Sequence, residues 1–318
     1  MSSLRADLAV DGQLVFSIDD LRRAGYGPND IARHVAHGDW HRLRRGWFVA
    51  GDRWAGADET ERHLLVARAV STPYGRRAAL THTTGALGLG VSLWRPDLRN
   101  VHLTHVDAVT GRIEHGVNHH GGPLDPTSLV ERDGLVIGPP AEVVAGAMLL
   151  SDLDGAVVAG DSALRTGITN ADAIEAVAGS WMRRAASRTV RFAVPLLDDG
   201  ADNPGESLGR LLLWRKRFPR PKTQYEVRGG GRVAFADFGW RESGVLGEFD
   251  GKRKYQRDLR EGEDPGEVVF REKQREDWLR RLGWTVCRFV WADLFTPDET
   301  AARFRAAFRD AARLPRPA

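Results

Sequence analysis

A chain of 318 residues, 42% apolar and 28% charged, is long enough for two or three domains with real cores and has the balance of a folded globular protein. Formal charge is only +3, but arginine dominates the basic residues and the pI is about 9.2, which fits nucleic acid without demanding it. The single cysteine, Cys287, excludes an intrachain disulfide and any cysteine-based zinc site. Met1 to Leu14 lacks the apolar core of a signal peptide and no stretch approaches membrane-spanning length, so a cytoplasmic protein without a membrane partner is expected.

From the N-terminus, Asp11 to Phe16 reads as an initial strand. Ser17 caps a short helix over Ile18–Ala24, with Asp20 as the acidic member of a capping box and Gly25 as the stop. A second helix starts near Pro28 and runs to about His37, with Ile31 and Val35 at i, i+4 spacing and Gly38 at its end. Trp40 to Val49 then reads as strand, basic turn and strand. Helix, turn, helix and β-hairpin in this order is the winged-helix plan. Arg33, Arg42, Arg44 and Arg45 would form one positive surface, of the kind that contacts phosphates for affinity and register. A plain polar hairpin tip is the alternative reading of Arg44-Arg45-Gly46. The stretch from Leu14 to Gly51 resembles the N-terminal domain of AbiE-type abortive-infection antitoxins. That resemblance implies a winged helix binding the protein's own promoter, and a protein partner from a neighbouring gene.

The middle of the chain reads as scaffold. Glu59–Ser71 is amphipathic and helical, and Ala78 to Leu89 a short helix. Asn100 to Thr104, Ile113 to His119 and Leu135 to Ile137 alternate as strands of a small antiparallel sheet. Helices follow over Pro140 to Leu149, Leu153 to Thr166 and Asn170 to Ala178. His82, His102, His105, His115, His119 and His120 invite a metal, and alternation places His115 with His119. Their spacing matches no metal motif, so ordinary polar strand positions are the better reading. In the antitoxin family an Arg-Thr-x-x-Asp segment often starts the next helix. Here Gly138 to Val144 reads GPPAEVV, so that feature is altered.

Trp181 to Leu197 is Arg-rich and helical, and Asp198 to Gly205 is a turn-rich acidic connector. Boundaries follow at 1–56, 57–200 and 201–318. The last segment reads as helix (Glu206 to Arg217), three strands (Thr223 to Val227, Val233 to Phe238, Val245 to Asp250), helix (Val268 to Leu282), strand (Thr285 to Val290) and final helix (Thr300 to Arg313). The first helix carries Leu208, Leu211, Leu212 and Trp214, and Phe270, Trp278, Leu279 and Leu282 face inward on the second. Period two sends Glu248, Asp250 and Lys252 to one side, with Asp237 of the neighbouring strand beside them. Convergent carboxylates repel unless a cation intervenes, and oxygen ligands suit Mg²⁺ or Mn²⁺. A solvated hairpin edge is the alternative, against which Phe235, Phe238, Val245, Leu246 and Phe249 argue for a buried sheet. Cys287, in an apolar run, reads as a core position.

The blocks PGESLGRLLL, Gln224, ADF, GEFDGKRKY, REKQREDWLRRLGW and VCRFVWADL, from about Asn203 to Leu294, resemble the PD-(D/E)xK nuclease core. They are closer still to actinobacterial proteins whose C-terminal domain is related to very-short-patch-repair endonucleases. The resemblance implies that Asp237, Glu248 and Asp250 hold the metal and that the catalytic lysine is Lys252 or Lys254. It gives Glu206 an additional acidic role, for which the helix dipole is the other explanation. Gln224, Glu272 and Arg275 would line the active-site side. The expected whole is an α+β multidomain protein: an N-terminal winged helix, a mixed α/β middle region and a C-terminal PD-(D/E)xK-type nuclease core. Its expected activity is Mg²⁺- or Mn²⁺-dependent cleavage of duplex DNA. An antitoxin or repressor with an inert nuclease fold is the rival.

Overall fold

Residues 14–107, 110–122, 124–181, 187–251 and 265–315 are described by a computed structural model. They form a mixed α+β protein with three sheets. The chain divides into two compact units, Met1–Gly155 with Ile168–Arg191, and Ala156–Gly167 with Phe192–Ala318.

In the first unit, β1 (Phe16–Ser17) leads into α1 (Ile18–Arg23) and α2 (Pro28–His37), then the hairpin β2 (Trp40–Arg44) and β3 (Trp47–Ala50). The capping box forms as expected: Ser17 Oγ accepts from the Asp20 amide, and Asp20 Oδ2 accepts from the Ser17 amide at 2.7 Å. β1 pairs with β3, closing a three-stranded sheet in the order β1-β3-β2. Of the initial strand expected over 11–16, residues 11–13 lie outside the described residues, and pairing begins at Phe16. Phe16, Leu21, Ile31, Trp40 and Phe48 fill the core between the two helices and the hairpin. Val15 and Val49 face the other way, onto Leu65 and Ala69 of α4 (Glu59–Ser71), which follows the short α3 (Gly51–Gly56).

A six-stranded sheet follows, in the order β6-β7-β5-β4-β9-β8. Its strands are β4 (Ala78–Leu80), β5 (Val101–His105), β6 (Arg112–Glu114), β7 (Val117–His120), β8 (Val130–Arg132) and β9 (Leu135–Ile137), with α5 (His82–Gly88) between β4 and β5. The sheet is mixed, because β5 runs parallel to β7 and β4 parallel to β9. Two local features explain the departure from the expected antiparallel sheet. Ala78–Leu80 is fully buried and extends into the sheet centre, where an Ala-Ala-Leu run carries no strand signature of its own. The segment 113–119 is no single strand: His115 and Gly116 both have positive φ (49° and 75°) and fold it into a hairpin. His115 therefore sits in an exposed turn and shares no strand face with His119. Helices α6 (Pro140–Leu149) and α8 (Ala171–Ser180) complete this unit, and α7 (Leu153–Arg165) passes from it into the second.

In the second unit, α9 (Ser187–Ala193) ends in a short 3-10 turn and α10 (Pro204–Arg215) precedes a four-stranded sheet. The sheet order is β10 (Lys222–Gly229), β11 (Arg232–Trp240), β12 (Val245–Asp250), β13 (Thr285–Val290). The first three strands are antiparallel, and β13 runs parallel to β12 after the crossover through α11 (Pro265–Arg281). α12 (Pro297–Ala311) packs with α10 on one face, over Phe238, Trp240, Val245, Phe249 and Phe289. α11 covers the other, over Val227, Ala236 and Leu246 through Trp278 and Leu279. α10 comes close because glycine stands at Gly205 and Gly209: a Cβ there would lie 2.1 Å from Phe249 and 2.4 Å from Phe289. Two large residues expected inside are instead exposed, Phe235 and Phe270. Phe235 lies on the stretch of β11 beyond the end of its ladder with β12, and Trp214, also exposed, meets Phe192 edge to face.

The acidic connector at 198–205 is bonded into this unit. Asp198 accepts from the Gly200 amide and Thr223 hydroxyl, and its own amide donates to Asp161 of α7 at 2.8 Å. Asp161 forms a buried ion pair with Arg210 of α10 at 2.7 Å. Burial pushes the Asp161 carboxyl above its ordinary value, and Arg210 and Ser207 pull it back. No helix of the described residues is long and apolar enough to cross a membrane.

Candidate active site on the four-stranded sheet

The alternation of β12 is regular. Val245 and Phe249 point to the α10 and α12 face, and Leu246 points to α11, so Glu248 and Asp250 fall on the α11 side. β11 is not regular. Ala234 and Ala236 pack on the α11 side, yet Phe238 and Trp240, of the same parity, pack on the opposite side. The strand thus rotates between Ala236 and Phe238, and the backbone parity of Gly239, paired with Leu246, assigns Asp237 to the α11 side. Gln224 stands level with this point, between the pairs Thr223–Phe238 and Tyr225–Ala236, and has φ 44°. A positive φ in a non-glycine strand residue is costly backbone, and distortions of this kind commonly re-aim a side chain at a site.

The ladder between β11 and β12 ends at Phe238–Gly247. Beyond it the carboxylate of Asp237 replaces a backbone acceptor, and the Phe249 amide donates to its Oδ2 at 2.6 Å. Continuing the register sets Asp237 beside Glu248. The Glu248 carboxylate is buried and meets two guanidiniums: Arg275 of α11 at 2.7 Å and Arg288 of β13 at 3.3 Å. The ion-pair distance to Arg275 is short, but the angle is poor, and Glu248 Oε1 has no aligned hydrogen bond. Arg275 also donates to the Phe235 carbonyl at 2.7 Å, which fixes the helix to the distorted part of β11.

Of the residues singled out in the sequence, Glu248 and Arg275 are in contact, the register sets Asp237 beside Glu248 and Gln224 level with Asp237 on β10, and Asp250 falls on the face of Glu248. Among the described residues, no three carboxylates bring oxygens within 4.8 Å of one another; His82, His102 and His120 are the group that meets this distance with ring nitrogens. Those histidines, expected as unrelated polar strand positions, converge. Glu206 is buried at the start of α10, where its carboxylate accepts from the Asp202 amide (2.7 Å) and the Asn203 side chain (2.5 Å). Asn203 in turn caps the Gly205 and Glu206 amides, so Glu206 closes its own helix start. Lys252 and Lys254 lie outside the described residues, as does the side chain of Glu272. Arg288 escaped the sequence reading. Its signal is a lone arginine inside an apolar strand, in register with Glu248. Cys287 is a core position as expected, and burial pushes its thiol up to about 11.

In the first unit, Arg45 is exposed at the hairpin turn and Arg33 is exposed on α2, paired with Asp30 at 2.6 Å. The Arg42 guanidinium lies 5.6 Å over the Phe48 ring. Arg44, past a register shift, lines a groove with Trp54, Arg62 and Arg99.

No family model matches this chain. It is similar to two uncharacterized proteins of Mycobacterium tuberculosis, MT2308 of strain CDC 1551 and Rv2248 of strain H37Rv. Each is 27% identical over 252 residues, covering 76% of this chain and 88% of the relative. Among solved structures it aligns with the crystal structure of the RV2827C protein of Mycobacterium tuberculosis, with TM-score 0.41 and 15% identity, over 72% of this chain and 88% of that one.

Proposed function

We propose that the four-stranded sheet carries a metal-dependent nuclease site, with Asp237, Glu248 and Asp250 as the carboxylates that hold Mg²⁺ or Mn²⁺. In this reading the helix–helix–hairpin of the first unit brings the protein to duplex DNA through Arg33, Arg42, Arg44 and Arg45. The observation that carries it is the rotation of β11 at Asp237, opposite Gln224, which assigns that acid to the face of Glu248 and Asp250. The donor set fits a hard cation in kind: every ligand is oxygen, and Oε1 of Glu248 is a buried acceptor without an aligned donor. Bound there, the ion would supply Lewis acidity and a water acidic enough to attack at neutral pH. The arginines do the rest. Arg275 and Arg288 would turn from Glu248 to the phosphodiester, whose oxygens suit guanidinium, and the carboxylate would be released towards the cation. Asp237, tied to the Phe249 amide, would hold its orientation throughout.

A second reading, a repressor or antitoxin whose nuclease fold no longer cuts, is favoured by one observation. Glu248 is already compensated by two arginines, and no three described carboxylates approach within 4.8 Å. One experiment separates the two. Supercoiled plasmid is incubated with the protein with and without Mg²⁺ or Mn²⁺, alongside Asp237→Ala and Asp250→Ala. Cleavage by the parent, lost in both variants while DNA binding persists, is expected. Sequence-selective retardation of DNA without metal-dependent cutting would favour the second reading.

A further inference from the structure

Three histidines that belong to no motif meet on one face of the six-stranded sheet. His82 opens α5 directly after β4, His102 lies in β5 and His120 in β7. The Thr81 amide donates to the His102 carbonyl at 3.1 Å, which sets His82 beside β5. The parallel register places Thr104 beside His120, so His102 is the diagonal neighbour of His120 on the same side. His102 Nδ1 and His120 Nε2 are 2.8 Å apart. The His82 and His120 rings stack with centroids 3.8 Å apart and 14° between their planes. One nitrogen of each ring lies within 4.8 Å of the other two.

The surroundings hold these rings in place. His82 has φ 49°, a left-handed backbone that a residue with a β-carbon adopts at a cost. Its ring lies against Gly146, where a Cβ would approach Cδ2 to 2.9 Å. Its Nδ1 is 3.1 Å from the Thr81 hydroxyl. The Thr84 hydroxyl accepts from the His102 amide at 2.9 Å and lies 2.8 Å from His63 Nε2. His102 also forms part of the wall of a cavity of about 340 Å³ that Asp97, Asn118 and Asp152 share.

Neutral imidazole nitrogen is a ligand for borderline transition metals and a poor one for Mg²⁺. We propose that His82, His102 and His120 form a binding site for a divalent transition-metal ion of the Zn²⁺ class, held by one nitrogen of each ring. The His82 and His120 rings lie nearly parallel, so one of them must turn about its side-chain bonds to aim its in-plane lone pair at the ion. Tetrahedral ligands at about 2.0–2.1 Å stand about 3.3 Å from one another, only slightly wider than the spacing of His102 and His120. Three protein ligands leave a fourth position for water or a small anion. The opposite face supplies a control: His105 Nε2 and His119 Nδ1 are also 2.8 Å apart, but the neighbouring ring there is Tyr74.

The test uses the full chain, stripped of metal with a chelator and titrated with Zn²⁺ by calorimetry and with Co²⁺ by visible absorption. One ion per chain is expected, with the cobalt bands of nitrogen ligation and a rise in Tm on adding Zn²⁺. His82→Gln and His120→Gln should each weaken binding at least about tenfold, and His105→Gln should leave it unchanged. Far-UV circular dichroism checks the folding of each variant. If His120→Gln unfolds, His82→Gln carries the comparison, and the cobalt spectrum of the parent needs no variant. A parent that takes up neither ion, or folded His82→Gln and His120→Gln that bind as tightly as the parent, overturns the proposal.

Discussion

The two larger sheets keep their buried polarity in opposite electrical states. In the four-stranded sheet and the helices on it, full charges are matched: Glu248 with Arg275 and Arg288, Asp161 with Arg210. In the six-stranded sheet and the helices on it the bonded buried groups are imidazoles and hydroxyls: His63 and the His102 amide both meet the Thr84 hydroxyl, and Thr81 meets Thr104. The difference separates the two proposed sites by the chemistry each would bind. Matched charges can be exchanged for a phosphate and a hard cation, whereas uncharged rings offer lone pairs to a softer one.

The sharpest way to break this contrast is to cross the metals with the variants. Asp237→Ala and Asp250→Ala should reduce Mg²⁺-dependent cleavage by more than the ~100-fold that loss of an outer-shell partner costs, while His120→Gln leaves it intact and loses Zn²⁺ instead. Full cleavage by either aspartate variant would remove the distinction. Next in size, Arg210→Met leaves Asp161 buried and unpaired and should cost about 3–5 kcal/mol at pH 7 by urea unfolding. The folded Asp161 pKa is already raised, so its stabilising share is present below the unfolded value and is lost as pH rises through the folded one. The deficit of Arg210→Met should therefore shrink on acidification.

The first unit should respond to acid with the other sign. His102 falls from 6.5 to about 4 in the folded chain, so its contribution is present above the unfolded pKa and is lost as pH drops through the folded one. About 3 kcal/mol should disappear between pH 7 and 4, and His102→Gln should flatten that slope in urea unfolding followed across the same range. The smallest effect concerns the hairpin. Arg45→Ala should lower duplex affinity equally for all sequences and reduce the slope of log affinity against log salt by about 0.9. An unchanged slope would move DNA binding away from the turn.

Much of this was legible in the sequence where local chemistry decides the outcome. Ser17 and Asp20 announce a helix start that forms, and Val245 to Asp250 alternates as its residue types require. The order helix, three strands, helix, strand in the last third follows from periodicity and turn residues alone. What was hidden depends on long-range pairing. Ala78–Leu80 becomes a strand only because β5 and β9 flank it. His82, His102 and His120 become neighbours only through the parallel pairing of β5 with β7, which no spacing rule encodes. Arg288 likewise gains meaning only from its register with Glu248. The rotation of β11 leaves no trace in the residue types around Asp237, since Gln224 is not a residue that ordinarily marks a left-handed turn.

The polypeptide passes between its two compact bodies at three junctions, after Gly155, Gly167 and Arg191. The piece Ala156–Gly167 is therefore an inlay in the C-terminal body, lodged there by Asp161. A gene fragment beginning near residue 200 would encode the acid-bearing sheet without this inlay and strand Arg210 in its place. The C-terminal third is thus no portable cassette: moving it to another protein, or trading it in evolution, requires that a stretch encoded some forty residues upstream travel with it.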